Sequence, residues 1–354
     1  MQQADTFDPN TTYVFGHGRE LGDAFCMALM DIAGEHTPNR HGKPANARYS
    51  HFLTGFATVG ASLSYFLERV PFLSSTDTIV FLGADWTRTR DFKYCVEGAL
   101  KGKRIVLLCG GEGATWVPDW IDASPSGRFY CTWFATHIIG LPDAVRDAAV
   151  DAAKELNSSY EVDDRVPVDE AYSFHHHFVH SRNLIESFGT LLSRLSNVAS
   201  AERRKSLMRT QGEINRGQFY GMEMDAAVRD GFPIRLTLPA SVLLDGEQAS
   251  RVVEAILTPS EWDQRHLLAE LARRLSAGTG VGIAVVDGPE EHAQSTWVMV
   301  CTSRESRVDA GRLADHLCAG GGFGGGSPSV GFGFLPVKHV LWSSARERTL
   351  IGWH

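Results

Sequence analysis

What most narrows the fold of this chain is an alternation of hydrophobic period along its first 110 residues or so. TTYVFGHG (11–18) is a short apolar run closed by glycines, and ELGDAFCMALMDIAG (20–34) carries apolar residues at helical spacing. The pair reads as strand, loop, helix. ATVGASLSYFLERV (57–70) predicts a further helix, and DTIVFLGADW (77–86) and KRIVLLCGG (103–111) read as buried strands on either side of the amphipathic TRDFKYCVEGALKGK (89–103). Strand and helix in turn imply a parallel sheet, because each helix carries the chain back to the start of the next strand.

After Phe134 the pattern turns helical, with LPDAVRDAAVDAAKEL (141–156), HSRNLIESFGTLLSRLSNVAS (180–200) and AERRKSLMRTQGEINRGQF (201–219). The last two are rich in polar surface and suit an interdomain bridge. From Ile234 the alternation returns: IRLTLPASVLL, a helix near HLLAELARRLSAG, then GVGIAVVDG and TWVMVCTSR, and a helix over VDAGRLADHLC. The expected fold is α/β: an N-terminal parallel-sheet domain over 1–180, a helical linker over 181–230, and a smaller α/β domain over 231–354.

Composition excludes several classes. At 354 residues and 43% hydrophobic, the chain is long enough for a large core in two domains. It has no run of eighteen apolar residues, and MQQADTFDPNTT lacks the basic flank and apolar stretch of an export leader. Its six cysteines are far apart with no CxxC spacing, which suits a reducing cytoplasm better than a disulfide framework or zinc knuckle. A formal charge of −8 argues against coating duplex nucleic acid and leaves a local site for a short anionic ligand open.

CAGGGFGGGSPSVGFGF (318–334) packs eight glycines into seventeen residues directly after a helix. A run without Cβ atoms can let successive N–H groups converge on a phosphate, or it can be a flexible hinge. The ordered strand and helix upstream favour the phosphate loop.

With those upstream elements, the stretch TWVMVCTSRESRVDAGRLADHLCAGGGFGGGSPSVGFGF resembles the C-terminal substrate-binding domain of DHH phosphoesterases, over some forty residues. That domain has a strand ending in Ser-Arg, a short helix and a GGGH-type loop. Ser303, Arg304 and Gly320 to Gly326 fall in that order. The resemblance implies substrate contacts from Arg304, Gly324, Gly325, Gly326 and Ser327. Ser327 takes the place of the loop histidine when Gly324 to Gly326 are matched to the family's glycines; matching Gly320 to Gly322 puts Phe323 there instead.

The same family opens with a strand and a GHxxPDxDA-like metal motif, to which FGHGRELGDAF is similar. His17 and Asp23 match the histidine and second aspartate; Leu21 stands at the first, beside Glu20. The aspartate that closes a later strand is matched by Asp85. The Asp-His-His triplet is replaced by Cys109, Gly110 and Gly111. The resemblance thus implies a reduced metal set of His17, Asp23 and Asp85, with Asp85 central to any catalysis and one manganese or magnesium ion weakly held.

Other residues offer secondary candidates. Arg88 and Arg90 follow Asp85 beyond a predicted strand, where α/β folds bind ligands, and Arg88 is a candidate phosphate contact against the alternative of a solvated helix start. FHHHFVH supplies His175, His176, His177 and His180, read as a packed turn rather than a metal site, with Asp163, Asp164, Asp169 and Glu170 upstream. Glu97, on a helix after a strand, faintly resembles the nucleophile of nucleoside deoxyribosyltransferases, against the plainer reading of a solvated position.

Composition suits a cytoplasmic protein, and the resemblance implies one of DHH type that binds a nucleotide or short oligonucleotide in an interdomain cleft, with degenerate catalysis. The rival is an active metal-dependent phosphodiesterase. A protein partner or self-association is compatible with either reading, and no membrane is expected.

Overall fold

The computed structural model of the chain describes residues 8, 12–16, 21–36, 49–51, 78–83, 97–98, 100–109, 122–123, 130–160, 175–179, 181, 183–219, 223–244, 249–262, 265–287, 295–319, 322–326 and 328–335. The fold is mixed α/β. The chain divides into two compact units, Met1–Glu161 with Ala171–Asn215 and Val162–Glu170 with Arg216–His354.

In the first unit the elements are β1 (Thr12–Gly16), α1 (Leu21–His36), β2 (Tyr49–His51), β3 (Thr78–Gly83), β4 (Arg104–Cys109), β5 (Asp122–Ala123), α2 (Tyr130–His137) and α3 (Asp143–Tyr160). A 3-10 turn at His175–Phe178 precedes α4 (Leu184–Ser196) and α5 (Ala201–Phe219). The strands form one parallel sheet in the order β2-β1-β3-β4-β5. The helix read at 57–70 lies outside the described residues.

Twelve of the sixteen residues of α1 are buried, so it is a central helix rather than an amphipathic cover. One side meets Val14, Val80, Leu82, Val106 and Leu108 of the sheet; the other meets α2, α3 and α4. The stripe Leu184, Ile185, Phe188, Leu191, Leu192 and Leu195 of α4 belongs to this same core. Phe188 packs edge-on to Phe25, with ring centroids 5.5 Å apart. Each large apolar side chain buried here stabilises the unit by about 1.5–3 kcal/mol. Phe15 and Phe81, on the opposite face of the sheet, are also fully buried and stack at 5.1 Å.

The polar α5 joins α3 through ions as well as apolar contact. Met208 is buried, while Arg204 donates to Asp151 from Nε at 2.8 Å and Nη2 at 2.6 Å, and Glu155 accepts from Lys205 and Arg209 at 3.0 and 3.1 Å.

The second unit contains α6 (Asp225–Arg229), β6 (Phe232–Leu238), β7 (Arg251–Pro259), α7 (Arg265–Thr279), β8 (Val281–Asp287), β9 (Thr296–Thr302), α8 (Ala310–Cys318), β10 (Phe323–Gly326) and β11 (Val330–Leu335). Its sheet runs β10-β11-β9-β8-β7-β6 and is antiparallel except for the pair β7–β8. Period two assigns the faces: Val281, Ile283 and Val285 share a core with Leu313 and Leu317 of α8, while Gly282 lies against Ala272 and Ser276 of α7. The sheet is thus covered on both faces, by α8 on one and α7 on the other.

The glycine run, expected as a loop, enters this sheet as the edge strand β10. In the GFGF of β11, Gly331 and Gly333 pair with Gly326 and Gly324. Cβ atoms at Gly324 and Gly331 would overlap the carbonyl oxygens of Ala314 and Ala310, and one at Gly311 would come 2.5 Å from that of Gly326. Small residues on α8 and glycines on β10 and β11 therefore bring helix and strands into backbone contact.

Among the described residues no helix is long and apolar enough to cross a membrane.

Candidate functional site

The order β2-β1-β3-β4-β5 makes β1 and β3 neighbours from which the chain departs in opposite directions. Ligands of open α/β sheets bind outside the carboxyl ends of the strands at such a switch point, because the diverging connections leave a crevice there. The two strands end at Gly16 and Gly83. His17 follows the first in the chain and Asp85 comes two residues after the second. His17, Asp85, Arg88 and Glu20 lie outside the described residues.

Asp23 is described. It stands in the first turn of α1 and is 1% exposed. Carboxylates are rarely buried so deeply without partners, because desolvation of the charge costs several kcal/mol. Here the hydroxyl of Tyr130, the first residue of α2, donates to Asp23 Oδ1 at 2.7 Å. Gly16 faces the same carboxyl group; a Cβ there would stand 2.9 Å from Oδ2.

Gly22 completes the junction. A Cβ at this position would overlap the Tyr130 hydroxyl, stand 2.8 Å from its Cζ and come 3.2 Å from Cys131 Sγ. Cys131 donates its thiol to the Gly22 carbonyl at 3.6 Å. One turn along α1, Cys26 is held far above the usual thiol range by burial, then by its hydrogen bond to Cys131 and the charges of Cys131 and Asp23. A thiol held protonated in this way packs and does not attack.

Leu21, two residues before Asp23, is buried in the core. Cys109 closes β4 in register with Gly83. Among the described residues no group of three or more His, Cys, Asp or Glu is gathered as a metal centre. Glu97 is exposed.

In the second unit Arg304 is exposed in the turn that follows β9, closed by Ser306 N–H donating to the Ser303 carbonyl at 3.0 Å. Thr302 N–H donates to the Ser329 carbonyl at 3.0 Å, and Thr302 Oγ1 to that of Pro328 at 3.0 Å. The arginine turn and the tip of the β10–β11 hairpin therefore lie at the same end of the sheet. Of the predicted glycines, Gly324 is buried under α8, Gly325 is half-buried and a Cβ on it would meet nothing within 4 Å, and Gly326 is exposed at φ +145°. Ser327 lies outside the described residues. Cys318, at the end of α8, is pushed up to about 12, chiefly by burial and next by the charge of Asp315.

The histidine segment forms the 3-10 turn before α4. His176 is 3% exposed, and Phe178 packs on Phe188 with centroids 4.2 Å apart. His177 borders a cavity of about 270 Å³ with Glu186, Ser187, Thr190, Leu191 and Arg194. Burial, and secondarily the charge of Arg194, lowers His177 to about 4, so it is neutral at pH 7. His180 lies outside the described residues.

Sequence reasoning missed Tyr130, Cys131 and Gly22. FYCTWFATH carries no repeating period that singles out one face, and a glycine that admits a phenol from a distant helix looks in sequence like any other glycine. Only the contact across 107 residues exposes the link.

No family model and no curated protein matches the chain. Among solved structures it is similar to a pGpG-specific phosphodiesterase, PggH, from Vibrio cholerae at 12% identity and a TM-score of 0.39, covering 95% of this chain and 97% of that one. It is also similar to CDC45 from Entamoeba histolytica, at 7% identity and a TM-score of 0.42, covering 96% of this chain and 94% of that one. These are low-identity likenesses of chain path, and the functional reading stands on the residues.

Proposed function

We propose that the chain is a phosphate-ester-binding protein of the DHH phosphoesterase type, which takes a nucleotide or short oligonucleotide and retains little hydrolytic activity. The observation that carries this reading is Asp23, a buried carboxyl group at the β1/β3 switch point with its orientation set by a phenol. The first turn of α1 favours a carboxylate electrostatically, and this one is held among Leu21, Ala24 and Phe25 of the core with the Tyr130 hydroxyl on it.

Asp23 is a hard oxygen donor, and His17 and Asp85 follow β1 and β3 in the chain. By its chemistry this donor set would hold one manganese or magnesium ion. When bound, such an ion would supply positive charge to a phosphoryl oxygen. The chain's own part is to hold the Asp23 carboxylate in a fixed direction and exclude solvent from it. Cys109, Gly110 and Gly111 stand where the family's triplet supplies further donors, which weakens ion binding and reduces turnover. In the second unit Arg304 and the Gly325–Gly326 end of β10 supply positive charge and bare backbone for a phosphate. Buried thiols at Cys26, Cys131, Cys301 and Cys318 suit a reducing cytoplasm.

The test is calorimetric titration with Mn²⁺ beside hydrolysis of short oligonucleotides, for the unaltered protein, Asp23→Asn and Asp85→Asn. One weak site lost in both variants, with slow turnover, is expected. Two tight sites per chain, or fast hydrolysis that survives Asp85→Asn, would overturn the reading in favour of an active phosphodiesterase or a different site.

A further inference from the structure

We infer that Tyr130 is the positioning residue of the Asp23 site, and that Gly22 is the feature of α1 that admits it. The inference rests on the reading of Asp23 as an ion ligand and adds a residue outside every motif quoted from the sequence.

Three observations converge on it. The Tyr130 hydroxyl donates to Asp23 Oδ1 at 2.7 Å, a normal length for an O–H···O bond to a carboxylate. The approach is possible because position 22 has no side chain, since any Cβ would occupy the place of the hydroxyl and press on Cζ at 2.8 Å. The helix that carries the phenol is docked by its next residue, Cys131, whose thiol donates to the Gly22 carbonyl at 3.6 Å. Consecutive residues of α2 thus grip consecutive residues of α1, with Tyr130 on Asp23 and Cys131 on Gly22.

The consequence follows from how carboxylates bind ions. An unsupported Asp rotates about χ2, so binding an ion must first fix its plane. A donor on one oxygen fixes that plane in advance, which is why the hydrogen-bond partners of ligating groups commonly change metal affinity by 10–100-fold when removed. Tyr130 touches neither substrate nor ion in this assignment; it acts through Asp23.

The experiment compares Mn²⁺ affinity by calorimetry in the full chain for the unaltered protein, Tyr130→Phe, Gly22→Ala and Asp23→Asn, with thermal unfolding of each. Tyr130→Phe keeps the ring and its packing, so it should unfold near the parent temperature while binding Mn²⁺ about tenfold more weakly. Gly22→Ala displaces the phenol by another route and should show the same loss of affinity at a lower unfolding temperature. Asp23→Asn should abolish the site. If Asp23→Asn abolishes binding but Tyr130→Phe binds Mn²⁺ as the parent does, the positioning role is wrong and the ion site stands. If the parent does not bind Mn²⁺, or Asp23→Asn binds it unchanged, the ion reading and the inference fall together. Where Tyr130→Phe unfolds early, titration well below its unfolding temperature compares the folded variant with the parent, and parent-like Mn²⁺ affinity there overturns the inference.

Discussion

Gly324 of β10 lies so close to Ala314 of α8 that a Cβ on the glycine would overlap the alanine carbonyl oxygen. The next residue, Gly325, points to the other face, where a Cβ would meet nothing within 4 Å. The neighbours separate packing from ligand binding. Gly324→Ala should destabilise the second unit by about 1–3 kcal/mol, since backbone cannot yield as a side chain does. Gly325→Ala should leave thermal unfolding unchanged and weaken nucleotide binding. Parent-like binding by Gly325→Ala would remove β10 from the phosphate site.

Arg304, in its exposed turn, is predicted to contact the phosphate directly. Arg304→Ala should weaken nucleotide binding by about 1.5–3 kcal/mol, the range of hydrogen bonds to charged groups, with the fold intact. Titration at low and high salt checks the assignment, because the loss should shrink as salt screens the parent's ion pair.

The junction of α3 and α5 should show how burial sets the worth of an ion pair. The Arg204 side chain is 9% exposed and its partner Asp151 18%, and Arg204 Nη1 also donates to the Val198 carbonyl at 2.6 Å. Arg204→Ala removes the donors to Asp151 Oδ2 and to the Val198 and Ala199 carbonyls, leaving Asp151 only Lys154 at 3.8 Å, and should cost about 2–4 kcal/mol in urea unfolding. Lys205 pairs with Glu155 at 50% exposure, and Lys205→Ala should cost about 0.5 kcal/mol. Equal costs would mean that the junction is held by its apolar contacts.

Stability should fall in mild acid through His177. Its pKa is about 4 in the folded chain against an ordinary 6.5, so the unfolded chain binds the proton more readily. The contribution of the neutral ring is therefore complete above pH 6.5 and is lost as pH falls through 4, to a total on the order of 3 kcal/mol. His177→Gln should flatten this part of the stability–pH curve. An unchanged slope between pH 6.5 and 4 would show that the ring is solvated.

The elements whose period is local were legible in the sequence: β1, α1, β3, β4, α3, α5, α7, β8, β9 and α8 all fall where alternating or helical spacing placed them. Apolar spacing within two turns of chain decides which face is buried, and that information is contiguous. β7 went unread, and so did β10, because a strand of glycines has no apolar face to betray it and forms only where α8 and β11 present backbone to it. The position of Asp23 in a motif was visible; its burial, its phenolic partner and the switch point beside it were not. Strand order depends on which way each crossover turns, and the Tyr130–Asp23 bond joins residues 107 positions apart. The sequence determined the alternation and the two clusters of candidate residues; tertiary structure decided which of these meet, because pairing across the fold is set by the packing of whole elements rather than by neighbours along the chain.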